Sequence, residues 1–466
     1  MYYKSDPSND TNYVTSKELG DGLLLRWSTA ADTDRIAALT GHVFRRNEDE
    51  PPNTAMANQM RVVMRGDHPY MTPQDFAVIE DTTKVERPLV ACTCLWQHTW
   101  SYAGIPFTAG RPEFVASLPD YRHRGLIRHI FQFIHEQSDG RGDLMQGITG
   151  IPYFYRQFGY EMVLDLGACR SAFVSLIPGL KEGEMEAWTL RPATHEDVPL
   201  ITRLHSANRT TSLLWHEASE AYWHYLVGYW DDPTSRHEGQ LMVNINTYPH
   251  MIVDQSDTIV GFVGVDHHRW RRLAVTALGL TAGTNLQALM PSLLRAIQRY
   301  GQDAPTFRED APPMTEISFV LGRSHPLYDL MGTAIAPRAD QPYAWYIRVP
   351  DVPAFIRHIA PVLEERLAQS VLTGHSGELL IDFYRGGLRL HFEQGKLVTA
   401  EPWRAPAFED RAKAGFPPLV FLQLLLGYRS LTELRQIFPD VWAETEVHLL
   451  LDTLFPQQPS NLMPMG

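Results

Sequence analysis

The stretch Phe114-Val115-Ala116-Ser117-Leu118-Pro119-Asp120-Tyr121-Arg122-His123-Arg124-Gly125-Leu126-Ile127-Arg128-His129-Ile130-Phe131 decides how the chain is read. An apolar strand gives way to a short basic loop and then to an amphipathic helix, with Gly125 where loop becomes helix. A helix start carries unpaired backbone N–H groups and the positive end of the macrodipole, so it attracts anions. Arg122, His123 and Arg124 add charge beside it, and Gly125 lets a phosphate approach without a Cβ in the way. The residues predict a diphosphate cradle. An ordinary strand-loop-helix connection with surface arginines is the competing reading. A dinucleotide fingerprint requires G-x-G-x-x-G, and only Gly125 is present.

Upstream of this stretch, residues 1–22 are polar and are expected to form a flexible lead-in. Leu23-Leu24-Leu25-Arg26-Trp27 follows as a strand. Asp32 is placed to cap a helix to about Arg46, with Ile36, Leu39, Val43 and Phe44 on one face. A loop rich in Asn, Glu and Pro leads to strands at 76–80 and 89–96 and a turn at Gly104-Ile105-Pro106-Phe107. Downstream, a strand at 144–148, a short helical segment from Tyr153 to Gly159 and a strand at 160–164 complete the first unit.

An internal repeat begins near Trp188. Arg191, Asp197, Ile201 and Leu204 reproduce the spacing of Arg26, Asp32, Ile36 and Leu39, and a period this long points to duplicated domains. Strands at 251–253, 259–264 and 274–280 and a helix from Leu286 to Tyr300 make up the second copy. From Leu273 to Leu294 it has no charged residue. Gly283-Thr284-Asn285-Leu286 stands where the first copy has Arg-His-Arg-Gly, so the second copy is expected to be structural. A third unit from about Pro350 reads as a helical stretch (352–372), three strands (378–384, 388–392, 396–400) and three helices (419–426, 431–438, 444–454). The last twelve residues contain three prolines and cannot be helical. Such a tail is ordinarily disordered, but Leu462, Met463 and Met465 are apolar enough to dock.

At 466 residues the length suits about three domains. A formal charge of −13, from 54 acidic against 41 basic residues, disfavours a general nucleic-acid binder. It is compatible with a cationic substrate and equally with a solubilising surface. Residues 1–6 lack the apolar core of a signal peptide and the greasiest run, 418–426, is too short to span a bilayer, so a cytoplasmic protein without membrane insertion is expected. Cys92, Cys94 and Cys169 are an odd, sparse set that suits a reducing compartment. Cys92 and Cys94 are expected in a strand core. His267-His268 has no further partners at ligand spacing, so no metal site is expected.

The order strand, helix, three strands, basic loop and helix, strand, then Tyr-x-x-x-Gly-Tyr resembles the GNAT family of acyl-CoA-dependent N-acyltransferases. That family's pyrophosphate loop, [Gln/Arg]-x-x-Gly-x-[Gly/Ala], is matched by Arg122 and Gly125 and departs at Ile127. The later signature matches Tyr155-Arg156-Gln157-Phe158-Gly159-Tyr160. Over nearly its whole length the chain is similar to the Eis (enhanced intracellular survival) acetyltransferases, through Thr108-Ala109-Gly110, Phe114-Val115-Ala116, Pro119, Arg122, Gly125-Leu126 and the Tyr155 signature. The resemblance implies an α+β fold. It would comprise tandem GNAT domains with mixed central sheets, catalytic over 23–180 and degenerate over 181–349, and a sterol-carrier-protein-like α+β domain over 350–466.

The resemblance also implies an acetyl-CoA-dependent N-acetyltransferase acting on a small cationic amine, aminoglycoside-like or polyamine-like, and a homo-oligomer, hexameric in the family. Arg122, His123, Arg124, Gly125, Leu126, Ile127 and Arg128 would bind the diphosphate. Phe114, Val115, Ala116 and Ser117 would line the pantetheine, with a backbone N–H near Val115 polarising the carbonyl. Tyr155 would be the general acid, with Tyr153 and Tyr160 as less suitable neighbours. No Asp, Glu or His of the first unit is nominated as base by its spacing. In the Eis family that role falls to the chain's own terminal carboxylate folded back into the first domain, here that of Gly466, although close members end in an aromatic residue. The alternative is a non-enzymatic protein whose third domain holds a lipid or other apolar ligand, and protein N-acetylation is a third reading.

Overall fold

A computed structural model of the chain describes residues 15–151, 153–167, 169–231, 247–306, 310–404 and 412–465. Its first part contains β1 (Ser16–Glu18), β2 (Leu23–Trp27), α1 (Thr33–Val43), α2 (Thr54–Val63), β3 (Phe76–Asp81), β4 (Leu89–Tyr102), β5 (Ile105–Ser117), α3 (Leu126–Gly140), β6 (Met145–Thr149) and β7 (Glu161–Leu166). Most of the expected lead-in lies outside the described residues, but Ser16–Glu18 pair with β2 as an edge strand. Helix α2 falls where a loop was expected. Asn53 caps it by accepting the Met56 N–H at 3.0 Å, and Met56, Met60 and Val63 form a buried stripe that its polar residues mask in the sequence.

The middle of the chain forms β8 (Cys169–Phe173), β9 (Trp188–Pro192), α4 (Val198–Ala207), β10 (Leu214–His216), α5 (Glu220–Asp231), β11 (Thr247–Asp254), β12 (Ile259–Asp266) and β13 (Arg272–Leu280). It continues with α6 (Leu286–Asp303), β14 (Glu316–Phe319), α7 (Pro326–Ile335), β15 (Arg338–Asp340) and β16 (Tyr343–Arg348). The last part holds α8 (Val352–His358), α9 (Ala360–Ala368), β17 (Gly377–Asp382), β18 (Gly387–Glu393), β19 (Lys396–Trp403), β20 (Ala414–Gly415), α10 (Phe421–Leu425), α11 (Leu431–Ile437), β21 (Trp442–Ala443) and α12 (Thr445–Leu454). The helical stretch expected over 352–372 is two helices. Pro361, at the start of α9, has no N–H to extend the ladder from α8.

By internal contacts the described chain divides into two compact units. The first joins residues up to Gln97 with Thr108–Gln146, and the second joins His98–Phe107 with residues from Gly147 onward. In the first unit β1 to β6 follow one another in a sheet, antiparallel from β1 to β4. The parallel ladder of β5 with β6 registers Ala109 with Met145 and Gly110 with Gln146. Cys92 and Cys94 are fully buried there. Burial pushes the Cys92 thiol up to about 12 and that of Cys94 well above its usual range.

The duplication shows itself as the same clamp built twice. In the first unit Arg26 donates to both oxygens of Asp32 (2.8 and 2.9 Å), and Asp32 accepts the Thr29 N–H. In the second unit Arg191 does the same to Asp197 (2.7 and 2.8 Å), and Asp197 accepts the Thr194 N–H. Each carboxylate joins a strand to the start of the helix that follows it. Such a bidentate pair fixes direction as well as distance.

Within the second unit the two copies exchange strands. β8, which follows the first copy, sits between β14 and β15, while β16, which ends the second copy, pairs with β7. The seven-stranded sheet runs β15-β8-β14-β13-β12-β11-β9. The third sheet runs β19-β18-β17-β20-β21, and its inner face is closed by Leu379, Ile381, Leu388, Leu390 and Phe392, all fully buried. His267 and His268 are packing groups, with the Trp230 ring stacked 4.1 Å from His267. Among the described residues, no group of acidic, Cys and His side chains is arranged for a metal, and no helix is long and apolar enough to cross a membrane.

Burial pushes the Asp32 carboxyl up, but its hydrogen bonds from Arg26 and Thr29 outweigh burial and bring it to about 2, below the ordinary 3.8. The folded pKa is the depressed one, so the clamp's contribution is full above the unfolded pKa and fades as pH falls through about 2. Asp32→Asn should lower unfolding free energy by about 2 kcal/mol at pH 7. In urea titrations the gap from wild type should narrow as the pH is taken from 4 toward 2.

Candidate active site

The cradle residues all lie in the first unit. Phe114 adopts φ 55° on β5, a conformation costly for a side chain of its size and typical of a bulge that re-aims the following peptide. The Glu113 carbonyl accepts the Thr93 hydroxyl at 2.8 Å, and the Phe114 carbonyl faces the Cys92 thiol at 3.8 Å. Val115 and Ser117 are half-buried and Ala116 is buried. The β5–β6 ladder ends at Gly110, so Phe114 to Ser117 lie beyond the last registered pair. A single turn, Pro119–Tyr121, then leads to the loop. The Tyr121 hydroxyl donates to Asp81 at 2.6 Å, and the Arg124 guanidinium lies 4.9 Å from the Tyr121 ring centre. A buried tyrosine thus anchors the base of a loop whose Arg122, His123, Arg124 and Arg128 are exposed.

His123 (φ 63°) and Gly125 (φ 75°) are both left-handed. Gly125 is the N-cap of α3, which has no side-chain cap, and nothing lies within 4 Å of where a Cβ would stand on it. The apolar side of the helix is held down by buried Leu126, Ile130, Phe131 and Ile134, while Ile127 is half-buried. The result is an open, uncapped helix start ringed by cations, a geometry suited to a diphosphate.

The second copy has the same fold position and the opposite chemistry. Asn285 caps α6 itself, accepting the Ala288 N–H at 3.1 Å. The helix start is therefore occupied by its own side chain. The second copy also repeats the tyrosine signature, since Tyr328 and Gly332 have the spacing of Tyr155 and Gly159. That signal was present in the sequence and was missed. The Tyr328 hydroxyl donates to the Phe319 carbonyl (2.7 Å) and accepts the Leu321 N–H (3.1 Å), so its phenol is committed to backbone.

Tyr155 lies in the second unit, on a short 3-10 turn, Phe154–Phe158, ended by left-handed Gly159. Its ring is buried, with the Tyr160 and Tyr346 ring centres each 6.3 Å away. A Cβ on Gly150 would stand 2.8 Å from Tyr155 Cε2 and 3.1 Å from its hydroxyl oxygen. The glycine is what lets the ring lie against the end of β6. Tyr160 is fully buried, and the Tyr153 side chain is 74 % exposed while its N–H donates to the Tyr346 hydroxyl at 2.8 Å.

The C-terminal tail is ordered as far as it is described, and it docks in the second unit. The Leu213 N–H donates to the Pro459 carbonyl (2.9 Å), the Leu214 N–H to Ser460 Oγ (3.0 Å), and Trp215 forms a parallel bridge with Asn461. Leu462 and Met465 are buried. Gly466, the expected base, lies outside the described residues. A cavity of about 230 Å³ lies beside the tail, lined in part by Trp215, Thr276, Leu278, Arg323 and Asn461. Arg323 is engaged by Asp165 at 2.7 Å.

Residues 25–163 match the family model described as an acetyltransferase (GNAT) domain. This segment holds both the cradle and Tyr155. Residues 25–163 therefore carry a GNAT acetyltransferase domain, which supports an N-acetyltransferase. Solved structures are similar to this chain in fold over most of its length. A probable N-acyltransferase from Enterococcus faecalis is 13 % identical, with 94 % of this chain and 98 % of that one covered, at TM-score 0.64. A GCN5-related N-acetyltransferase from Kribbella flavida is 17 % identical, with coverage of 98 % and 100 %, at 0.62. Eis1 from Mycobacterium abscessus is 14 % identical, with coverage of 94 % and 99 %, at 0.56. At these identities the likeness is one of fold. No curated protein matches the chain.

Gly125 and Gly283 are both left-handed and open on the Cβ side, so a side chain strains each of them similarly. Gly125→Val should raise the Kd for acetyl-CoA about tenfold by calorimetry, whereas Gly283→Val should leave it unchanged at a comparable loss of thermal stability.

Proposed function

We propose that the protein transfers the acetyl group of acetyl-CoA directly to an amine of a small polycationic substrate. The observation that carries this reading is the contrast between the two copies. The helix start of the first copy is uncapped and ringed by arginines, and that of the second is filled by its own Asn285. An uncapped helix start beside exposed arginines favours an anion over neutral partners.

In this reading the backbone from Arg124 to Arg128 holds the diphosphate, with Arg122 and Arg124 adding charge. The bulged edge at Val115 to Ser117 aligns the pantetheine and places a backbone N–H on the thioester carbonyl. The amine nitrogen attacks that carbonyl, the C–S bond breaks, and Tyr155 gives its phenolic proton to the departing thiolate. The proton lost by the ammonium goes to the Gly466 carboxylate, at the end of a tail whose last described residues are docked and buried. Residues 23–180 form the catalytic domain, 181–349 the degenerate copy and 350–466 the sterol-carrier-like domain of a homo-oligomer. The alternative is a non-enzymatic protein whose third domain holds a lipid or other apolar ligand.

Incubation with acetyl-CoA, a thiol reagent and a panel of polyamines and aminoglycosides should release free CoA, and no release with any amine would overturn the reading. Tyr155→Phe should lower kcat about a hundredfold while acetyl-CoA affinity holds. Deleting Met465 and Gly466, or appending a tag, should collapse turnover with the same affinity retained, and unchanged turnover would remove the terminal carboxylate from the mechanism.

A further inference from the structure

The last residues are held by two side chains that no motif singles out. His216, on β10, is 1 % exposed, and its Nδ1 lies 2.7 Å from the Pro464 carbonyl oxygen. A carbonyl only accepts, so the proton is on Nδ1, and in the neutral ring Nε2 is left as an acceptor. His98, on β4 and 2 % exposed, brings its Nδ1 to 3.3 Å from that Nε2. The chain of donors therefore runs from His98 to His216 to the Pro464 carbonyl. From α5, Tyr222, also 1 % exposed, donates its hydroxyl to the Met465 carbonyl at 3.1 Å. The His216 and Tyr222 ring centres are 5.7 Å apart.

These contacts do more than bury the tail. Leu462 and Met465 already supply apolar anchoring, which is non-directional and leaves the peptides free to turn about the chain axis. Two hydrogen bonds to consecutive carbonyls, each from a buried ring, remove that freedom in the two residues before the terminus. Directional constraint of this kind sets the aim of a terminal group rather than its mere presence. We propose that His216 and Tyr222 are positioning residues that aim the C-terminal carboxylate, and that His98 holds His216 in the required tautomer. This rests on the proposed role of that carboxylate as base.

The test is a double-mutant cycle on the full-length enzyme, with Tyr222→Phe, His216→Ala and His216→Asn each made in the intact chain and in one lacking Pro464, Met465 and Gly466. In the intact chain Tyr222→Phe and His216→Ala should each lower kcat about five- to tenfold, with the KM for acetyl-CoA unchanged. His216→Asn, which keeps a donor near the Nδ1 position, should recover part of the loss. In the shortened chain the same substitutions should change kcat no further, because the carbonyls they address are gone. Wild-type kcat for Tyr222→Phe and His216→Ala in the intact chain would overturn the inference and leave the base role standing. Equal losses in both backgrounds would also overturn it, by showing that the rings act elsewhere. Unchanged turnover on shortening alone would instead remove the base role itself, and the inference with it. A merely structural role would lower the melting temperature in step with kcat, so each variant's melting temperature is read alongside.

Discussion

An exposed helix start that has no side-chain cap among the described residues is the constraint from which the proposed site grows. The α3 terminus presents N–H groups and dipole to solvent, with Gly125 as an N-cap that offers no acceptor of its own. Such an end is costly unless water or an anion meets it, and the residues around it are arranged for an anion. Tyr121 is tied to Asp81 below the loop, and the loop turns through left-handed His123 and Gly125 above it. Phe114 lies at positive φ on the preceding strand, a conformation that turns the backbone just ahead of the loop.

The second copy is a control supplied by the fold. It has the same strand-to-helix clamp, Arg191 with Asp197 in place of Arg26 with Asp32, and it keeps a tyrosine at the repeated position. Yet its helix start is capped by Asn285 and its tyrosine is bonded to backbone at Phe319 and Leu321. Architecture and chemistry have thus separated in the duplication. The clamps and the exchange of β8 and β16 are retained as structure, and the uncapped helix start with exposed arginines is found in the first copy, not the second.

Strand exchange also explains why the compact units do not follow the order of the repeats. β7 pairs with β16 from the far end of the second copy, and β8 passes into the second sheet. The segment carrying Tyr155 therefore belongs by contacts to the second unit, although it lies within the acetyltransferase domain match. The tail joins that same unit by adding backbone hydrogen bonds along Leu213, Leu214 and Trp215, a form of strand addition that needs few apolar residues.

Much of this was legible in the residues themselves. Local pattern determined the strand, loop and helix of the proposed cradle, because strand periodicity, an Arg-His-Arg-Gly loop and a helical apolar stripe are contiguous in the chain. It determined the duplication too, since equal Arg-to-Asp gaps imply equal clamps. Helix α2 was hidden because its polar residues obscure a narrow buried stripe, and the break between α8 and α9 was overlooked at Pro361, where the signal was plain. The partners of the tail could not be read at all. His98 and His216 are 118 residues apart and meet only because β10 lies beside the end of β4, and Tyr222 reaches Met465 across 243 residues. The sequence by itself determined which groups carry charge and where the paired helices α3 and α6 start. Only the tertiary structure decided which of those starts stays open and what holds the chain's end, because both depend on hydrogen bonds between segments whose separation no local pattern encodes.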